Sequence, residues 1–216
     1  MKANINVPNE LNEITLKQYQ KFLKVQDTSE DNNIIQTKMI EIFCGVKPQD
    51  ALNIKLTDAE RITRIISDMF EQKPNLVQSF WLNNIEYGFV PDLDEITLGE
   101  YIDLDTYMGD WENIHIAMNV LYRPITQKMG SKYLIEDYEP EKRDRILTMP
   151  MDAVFSSILF FYRLGIELSK TMMNYLENKE EKQLLGVLDL QKNGGGIQAF
   201  SDSLEEILQD LRISPN

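Results

Sequence analysis

Two short segments of this chain have nearly the same sequence: VPNELNEITLKQY at 7–19 and VPDLDEITLGEY at 90–101. Each leads from a proline-containing extended stretch through Ile-Thr-Leu into a helix, and Thr15 and Thr97 are residues that cap helix N-termini. Tyr19 and Tyr101 follow one turn later, where we expect each ring to be buried. The repetition predicts one structural unit used twice, with units beginning near residues 3 and 80. Duplication, pseudo-symmetry and coincidence would each account for it.

Helical periodicity dominates the rest of the sequence. Apolar residues recur at intervals of three or four over four further segments, 33–43, 57–70, 111–121 and 152–176. Gly45 is positioned to end the first of them, and Thr57 to Glu60 forms a capping-box sequence at the start of the second. The expected fold class is therefore mainly α, a helical bundle with an internal pseudo-repeat.

Two segments have the alternating pattern of β-strands instead. In 79–90 the alternation crosses Asn83 and Asn84, which tolerate positive φ and favour a tight turn. A second hairpin is predicted over 125–138, turning near Gly130, and a short exposed helix over 140–147. Since a lone hairpin is marginal in water, we expect 3–7 to supply a third strand to the first hairpin. The bundle thus includes one or two small antiparallel β-hairpins.

The C-terminal region has a different organisation. Three consecutive glycines, Gly194 to Gly196, are too costly in backbone entropy to sit inside an ordered element, so 189–196 is predicted to be a hinge. It separates a globular body, 1–188, from a tethered amphipathic helix, 197–216. This helix could dock on its own body or on a neighbour. Its apolar face is the predicted partner-binding site, formed by Leu204, Ile207, Leu208 and Leu211.

Composition narrows the classes of partner. With 22 Lys and Arg against 35 Asp and Glu, the net charge is −13, which disfavours direct binding to nucleic acid and to anionic membrane surfaces. Cys44 is the only cysteine, so one chain cannot form a disulfide, and no signal segment is visible at Met1. In the most apolar window, 151–168, only 153–162 is uncharged, about 15 Å of helix, which favours a core helix over a membrane span.

Residues suited to catalysis are few. His115 is the only histidine and is interpreted as a packed helix residue, and Cys44 as a small buried hydrophobe. Asp92, Asp94 and Glu95 are clustered carboxylates that could bind Mg²⁺, but the run lacks the spacing of a calcium-binding loop. The triple glycine is not followed by the Lys-Ser or Lys-Thr of a phosphate-binding loop. We therefore expect no catalytic residues, no metal and no cofactor.

A family resemblance points to a context for the chain. The segments EITLGEYIDLDTYMGDWENIHIAMNVLYRPI, at 95–125, and MPMDAVFSSILFFYRLGIEL, at 149–168, resemble parts of small proteins encoded among the virion and assembly genes of large tailed bacteriophages, including crAss-like phages. The resemblance covers about 81–168 and rests on general pattern, without a catalytic signature. It implies a virion component or an assembly factor and transfers no functional residues.

These observations favour a non-enzymatic bacteriophage structural protein, acting by protein–protein contacts in a symmetric virion assembly at the portal, neck or tail. The expected partners are other virion or assembly proteins and further copies of the chain, with no nucleic acid and no membrane. The expected location is the virion, after folding in the host cytoplasm. One alternative is an assembly chaperone that is absent from the mature virion. Another is an Mg²⁺-dependent enzyme that uses Asp92, Asp94 and Glu95.

Overall fold

The structure, a computed structural model, describes residues 5–130 and 132–177, without the side chains of 143 and 167–177. The chain divides into two compact units, Met1–Ser156 and Ser157–Asn216. The predicted hinge at 189–196 and tethered helix at 197–216 lie outside the described residues.

More than half of the described chain is helical, but the fold is mixed α and β because the helices are combined with a four-stranded sheet, so the predicted mainly α bundle is confirmed only in its helical content. The α-helices are α1 (Leu16–Thr28), α2 (Asn32–Phe43), α3 (Pro48–Ala51), α4 (Leu56–Phe70), α5 (Leu98–Tyr107), α6 (Ile114–Leu121) and α7 (Met151–Glu177). Two 3-10 helices span Leu11–Glu13 and Pro140–Ile146. The strands are β1 (Ser79–Leu82), β2 (Ile85–Phe89), β3 (Tyr122–Met129) and β4 (Lys132–Ile135).

The sheet is larger than the sequence predicted. Both predicted hairpins form, but they join through β2 and β3 into one antiparallel sheet of order β1-β2-β3-β4. The physical reason is that β3 begins at Tyr122, directly after α6, so its first residues pair with β2 and the rest with β4. The prediction that 3–7 provides the third strand is wrong for the described residues 5–7, which lie in no strand.

The hairpin turns confirm the local predictions. Asn83 and Asn84 both have positive φ, 50° and 63°, as a tight two-residue turn between twisted strands requires. Gly130 follows β3 with φ of 62°. The positions of both turns could therefore be predicted from the residue types at these positions.

Two helix starts differ from the predicted ones. The helix cap expected at Thr57 is at Lys55 instead, because the backbone becomes helical at Leu56. The Lys55 carbonyl accepts hydrogen bonds from the amides of Asp58 and Ala59. The helix expected from residue 111 begins at Ile114. Asp110 Oδ1 accepts hydrogen bonds from the backbone amides of residues 112 and 113. These hydrogen bonds hold residues 111–113, which precede the helix, in a turn.

An aromatic cluster centres the core of the first unit. Tyr19 from α1 lies with its ring centroid 5.3 Å from Phe70, 5.1 Å from Trp111 and 5.5 Å from Phe155. Such tilted and edge-on pairs add stabilisation to the burial of their apolar area. The chain entering α1 also forms an isolated antiparallel bridge, Thr15 with Pro150, just before α7. The first copy of the repeated motif is therefore part of the core.

Candidate docking surface on helix α5

The two copies of the repeated motif form the same helix cap. Thr15 Oγ accepts the Gln18 amide at 3.3 Å, and Gln18 Oε1 accepts the Thr15 amide at 2.9 Å. In the second copy Thr97 Oγ accepts the Glu100 amide at 3.3 Å, and Glu100 Oε2 accepts the Thr97 amide at 2.6 Å. Each is a reciprocal capping box that satisfies two amides left free at a helix start. The predicted caps at Thr15 and Thr97 are confirmed.

After the cap the two copies bury opposite faces. Tyr19 is buried, as predicted, but the prediction for Tyr101 is wrong, because this residue is 54% exposed. The difference begins one residue after each threonine: Leu16 is fully buried, whereas Leu98 is 74% exposed. In α5 the buried residues are Glu100 and Leu104, so the residues on the opposite side of the helix point outward.

Glu100 is buried because it forms an ion pair. Its Oε1 accepts from Arg123 Nη1 at 2.8 Å, and the two side chains are only 5% and 9% exposed. Arg123 lies on β3 opposite Gly88, so the pair ties α5 to the middle of the sheet. The Nε of Arg123 is buried and has no hydrogen-bond partner within the described part of the chain. One carboxylate thus both caps α5 and neutralises a buried guanidinium.

The outward face of α5 is apolar. Leu98, Tyr101 and Ile102 stand at positions i, i+3 and i+4, which lie side by side on a helix surface. Ile102 is 52% exposed, comparable to Tyr101. Three large apolar side chains on one exposed stripe form a patch of the kind that marks contact sites, unlike single exposed hydrophobic residues. We call Leu98, Tyr101 and Ile102 the α5 face.

The α5 face lies in the most acidic part of the chain. Between Lys73 and Arg123 there is no Lys or Arg, while there are nine acidic residues, which are Glu86, Asp92, Asp94, Glu95, Glu100, Asp103, Asp105, Asp110 and Glu112. Asp94, Glu95 and Asp105 are exposed and form no ion pair with any residue that the structure describes. Their negative potential is therefore not cancelled by nearby cations.

A cleft opens beside the cap of α5. It has a volume of about 480 Å³ and lies between the segment before α5 and the β4 edge of the sheet. Five carboxylates line it, from Asp92, Glu95, Glu100, Glu136 and Asp137, against the single guanidinium of Arg123. Glu100 and Glu136 are paired with Arg123 and Arg145, which leaves three carboxylates without an ion pair among the described residues. The cleft is thus suited to a cationic group.

The sequence-predicted site residues have different outcomes. Leu204, Ile207, Leu208 and Leu211 lie outside the described residues, so that partner-binding face stays a prediction. Asp92 and Glu95 line the cleft, but within the described chain no group of three or more His, Cys, Asp or Glu side chains could hold a metal ion. The α5 face was missed because its helical spacing is equally typical of a core helix. The absence of Lys and Arg over 74–122 was the available signal.

The other two candidate residues are His115, within α6, and Cys44, directly after α2. His115 Nε2 lies 3.8 Å from Asp144 Oδ1, and the imidazole is 12% exposed. Cys44 is only partly buried, less than the sequence predicted, and this partial burial raises the pKa of its thiol to about 11. The thiol is therefore protonated at neutral pH, and a protonated thiol is a poor nucleophile.

No protein-family model, curated protein or solved structure matches this chain. Among the helices described, none is sufficiently long and apolar to cross a lipid bilayer.

Proposed function

We propose that this chain is a non-enzymatic structural protein of a tailed bacteriophage, working through protein–protein contacts in a symmetric particle assembly at the portal, neck or tail. The observation that carries the proposal is the α5 face. Leu98, Tyr101 and Ile102 are 74%, 54% and 52% exposed on one side of a helix whose other side is anchored to the sheet. An apolar patch on a rigid element gains free energy when a partner covers it.

The position of the α5 face along the chain supports the phage context. The segment that resembles virion and assembly proteins, 95–125, begins just before α5 and includes all three residues of the face. Soluble oligomers of identical chains mostly have closed symmetry, so the proposal includes self-association in a ring. The charge of −13 is compatible with high local concentration, because it keeps exposed surfaces from associating non-specifically.

Mass spectrometry of purified particles tests the proposal. Gradient-purified virions of the phage that encodes the chain are compared with the lysate of infected cells, and copy number is calibrated against the major capsid protein. A structural component is expected in the virions at a stoichiometry that corresponds to a symmetric ring.

Two other results would change the conclusion. A chain that is abundant in lysate, bound to an immature particle component and missing from virions would replace the structural role by an assembly chaperone. A chain that is missing from virions and bound to no particle component would refute both roles.

A further inference from the structure

We propose that the partner presented to α5 is a basic amphipathic protein segment, whose apolar side covers the α5 face and whose lysines or arginines meet the surrounding carboxylates. The proposal rests on the proposed function in one respect, since it takes α5 to be a contact surface. It adds the chemical class of the partner, which the exposed apolar residues alone do not define.

The apolar part of the argument is geometric. Leu98, Tyr101 and Ile102 span about one turn of helix, with the i, i+3, i+4 spacing of the anchors by which one amphipathic helix packs on another surface. Tyr101 adds an aromatic ring and a hydroxyl, a combination enriched at the centres of protein interfaces. The opposite side of α5 is fixed by the ion pair of Glu100 with Arg123. The face is therefore presented without a rearrangement of the helix.

Charge selects among the segments that could cover this face. Asp105 extends the same stripe at i+7 from Leu98, and Asp94 and Glu95 precede the cap of the helix. These three carboxylates are exposed and lack ion pairs within the described chain. An acidic or neutral partner would leave them unpaired at the edge of an apolar contact, which is unfavourable, whereas a basic partner would gain from each of them.

The cleft is a second place at which a positively charged side chain of the partner could be neutralised. Thr97 lines the cleft and Leu98, the next residue, begins the α5 face, so the cleft and the face are adjacent along the chain. Asp92, Glu95 and Asp137 offer carboxylate oxygens there. A volume of about 480 Å³ accommodates the end of a Lys or Arg side chain with its water.

A binding titration with designed peptides tests the proposal on the full chain. The probe is a fluorescein-labelled synthetic helix of about 15 residues, with Leu at i, i+3, i+4 and i+7 and Lys at the polar positions. Two control peptides keep its length, one with Glu in place of Lys and one with Ser in place of Leu. Anisotropy is expected to show binding of the Leu/Lys peptide, with at least a tenfold weaker affinity for either control.

Two variants of the protein locate the binding site. Leu98→Ser with Ile102→Ser removes apolar area, and Asp94→Asn, Glu95→Gln and Asp105→Asn together remove charge. Each is expected to weaken binding of the Leu/Lys peptide by roughly tenfold, because a few central residues carry most of the affinity of an interface. The charge variant should also lose most of the salt dependence of binding, since the Debye length shortens from about 10 Å at 0.1 M to about 3 Å at 1 M.

Matched control variants exclude non-specific attraction to an acidic protein. Leu52→Ser with Leu56→Ser removes two leucines that are 74% and 68% exposed outside α5. Asp27→Asn, Glu60→Gln and Asp68→Asn remove the same number and types of exposed carboxylate outside the acidic stretch. Both controls are expected to bind the Leu/Lys peptide as the unaltered protein does.

Three outcomes would overturn the proposal: no binding of the Leu/Lys peptide, equal binding of the Glu-containing peptide, or an equal loss of affinity in the control and site variants. The result of the peptide titration can be distinguished from the result of mass spectrometry on purified virions. Virions that contain the chain, together with no binding of the peptide, would refute only the basic partner. Binding at α5, with the chain absent from virions, would refute only the structural role.

Discussion

Gln18 and Glu100 occupy the same position in two copies of one helix cap, yet their side chains bind partners of opposite character. Each uses one oxygen to accept the amide of its capping threonine, at 2.9 Å and 2.6 Å. The other polar atom at the end of the Gln18 side chain is Nε2, which donates to the Ile42 carbonyl at 2.9 Å. The other carboxylate oxygen of Glu100 is Oε1, which lies 2.8 Å from Arg123 Nη1 in an ion pair. The same position of the cap therefore links α1 to α2 through an amide and α5 to the sheet through a carboxylate.

Exchanging the carboxylate of Glu100 for an amide should destabilise the first unit. Glu100→Gln can preserve the cap, because Gln18 makes the same cap in the first copy. It leaves Arg123, a buried cation, without its counter-charge, which typically costs about 3–5 kcal/mol. Urea denaturation followed by circular dichroism should show this decrease in the free energy of unfolding.

A double variant separates loss of charge pairing from loss of the cap. Glu100→Gln combined with Arg123→Met removes both charges while keeping the capping amide and a long apolar side chain at 123. Stability should recover by at least half of the loss, since an apolar replacement of a buried ion pair is often close to neutral. A double variant as unstable as Glu100→Gln alone would show that the ion pair is not the cause.

The reverse exchange in the first copy should also be unfavourable. Gln18→Glu keeps an oxygen for the Thr15 amide but loses the Nε2 donor, so the Ile42 carbonyl loses its side-chain donor and faces a carboxylate. We expect a loss of about 1–3 kcal/mol, the usual cost of an unsatisfied, partly buried polar group. The measurement is the same urea titration, and an unchanged midpoint would mean that water replaces the amide donor without cost.

Features that depend on neighbouring residues were accessible from the sequence. The caps at Thr15 and Thr97 and the turn at Asn83 and Asn84 each follow from the hydrogen bonds and φ angles of a few consecutive residues. The helix over 152–176 was likewise predictable, because its apolar content is sustained over many turns. Local chemistry determines these features, so one sequence suffices to predict them.

Features that depend on residues distant in the chain could not be predicted from the sequence. Tyr101 is exposed because Glu100 pairs with Arg123, a residue on a strand that follows another helix. The single sheet exists because β2 pairs with β3 across the chain that forms α5 and α6. Neither pairing leaves a periodic pattern in the residues concerned. The acidic setting of α5 was different, since counting Lys and Arg between residues 73 and 123 would have revealed it.

Gly88 is required by the ring that lies over it. A Cβ at this position would stand 2.5 Å from Tyr133 Cε2 and 3.0 Å from Ile125 Cγ1. Gly88→Ala should therefore displace the Tyr133 ring, whose hydroxyl donates to the Phe89 carbonyl at 2.7 Å. The expected loss in the free energy of unfolding is about 1–3 kcal/mol, as is typical of overpacking.

A second glycine provides the matched control for that experiment. Gly99 lies in the first turn of α5, and a Cβ there would meet no atom within 4 Å. Gly99→Ala should stabilise by about 0.5–1 kcal/mol, since alanine has the higher helix propensity. If both substitutions had the same sign in thermal and urea denaturation, contact with Tyr133 would not be the reason that residue 88 is glycine.

The reactivity of Cys44 should follow a displaced pH profile. Burial raises the pKa of its thiol from 9.0 to about 11, so at pH 8 the thiolate fraction is about 100-fold smaller than that of a thiol with the ordinary pKa. The rate of alkylation by iodoacetamide should therefore increase about tenfold per pH unit up to an inflection near 11. Because the folded pKa is the higher one, the stabilising contribution is fully present below pH 9 and is lost as the pH rises toward 11. The same protein unfolded in urea is the control and should show its inflection near 9. An inflection near 9 in the folded protein would contradict the partial burial of this thiol.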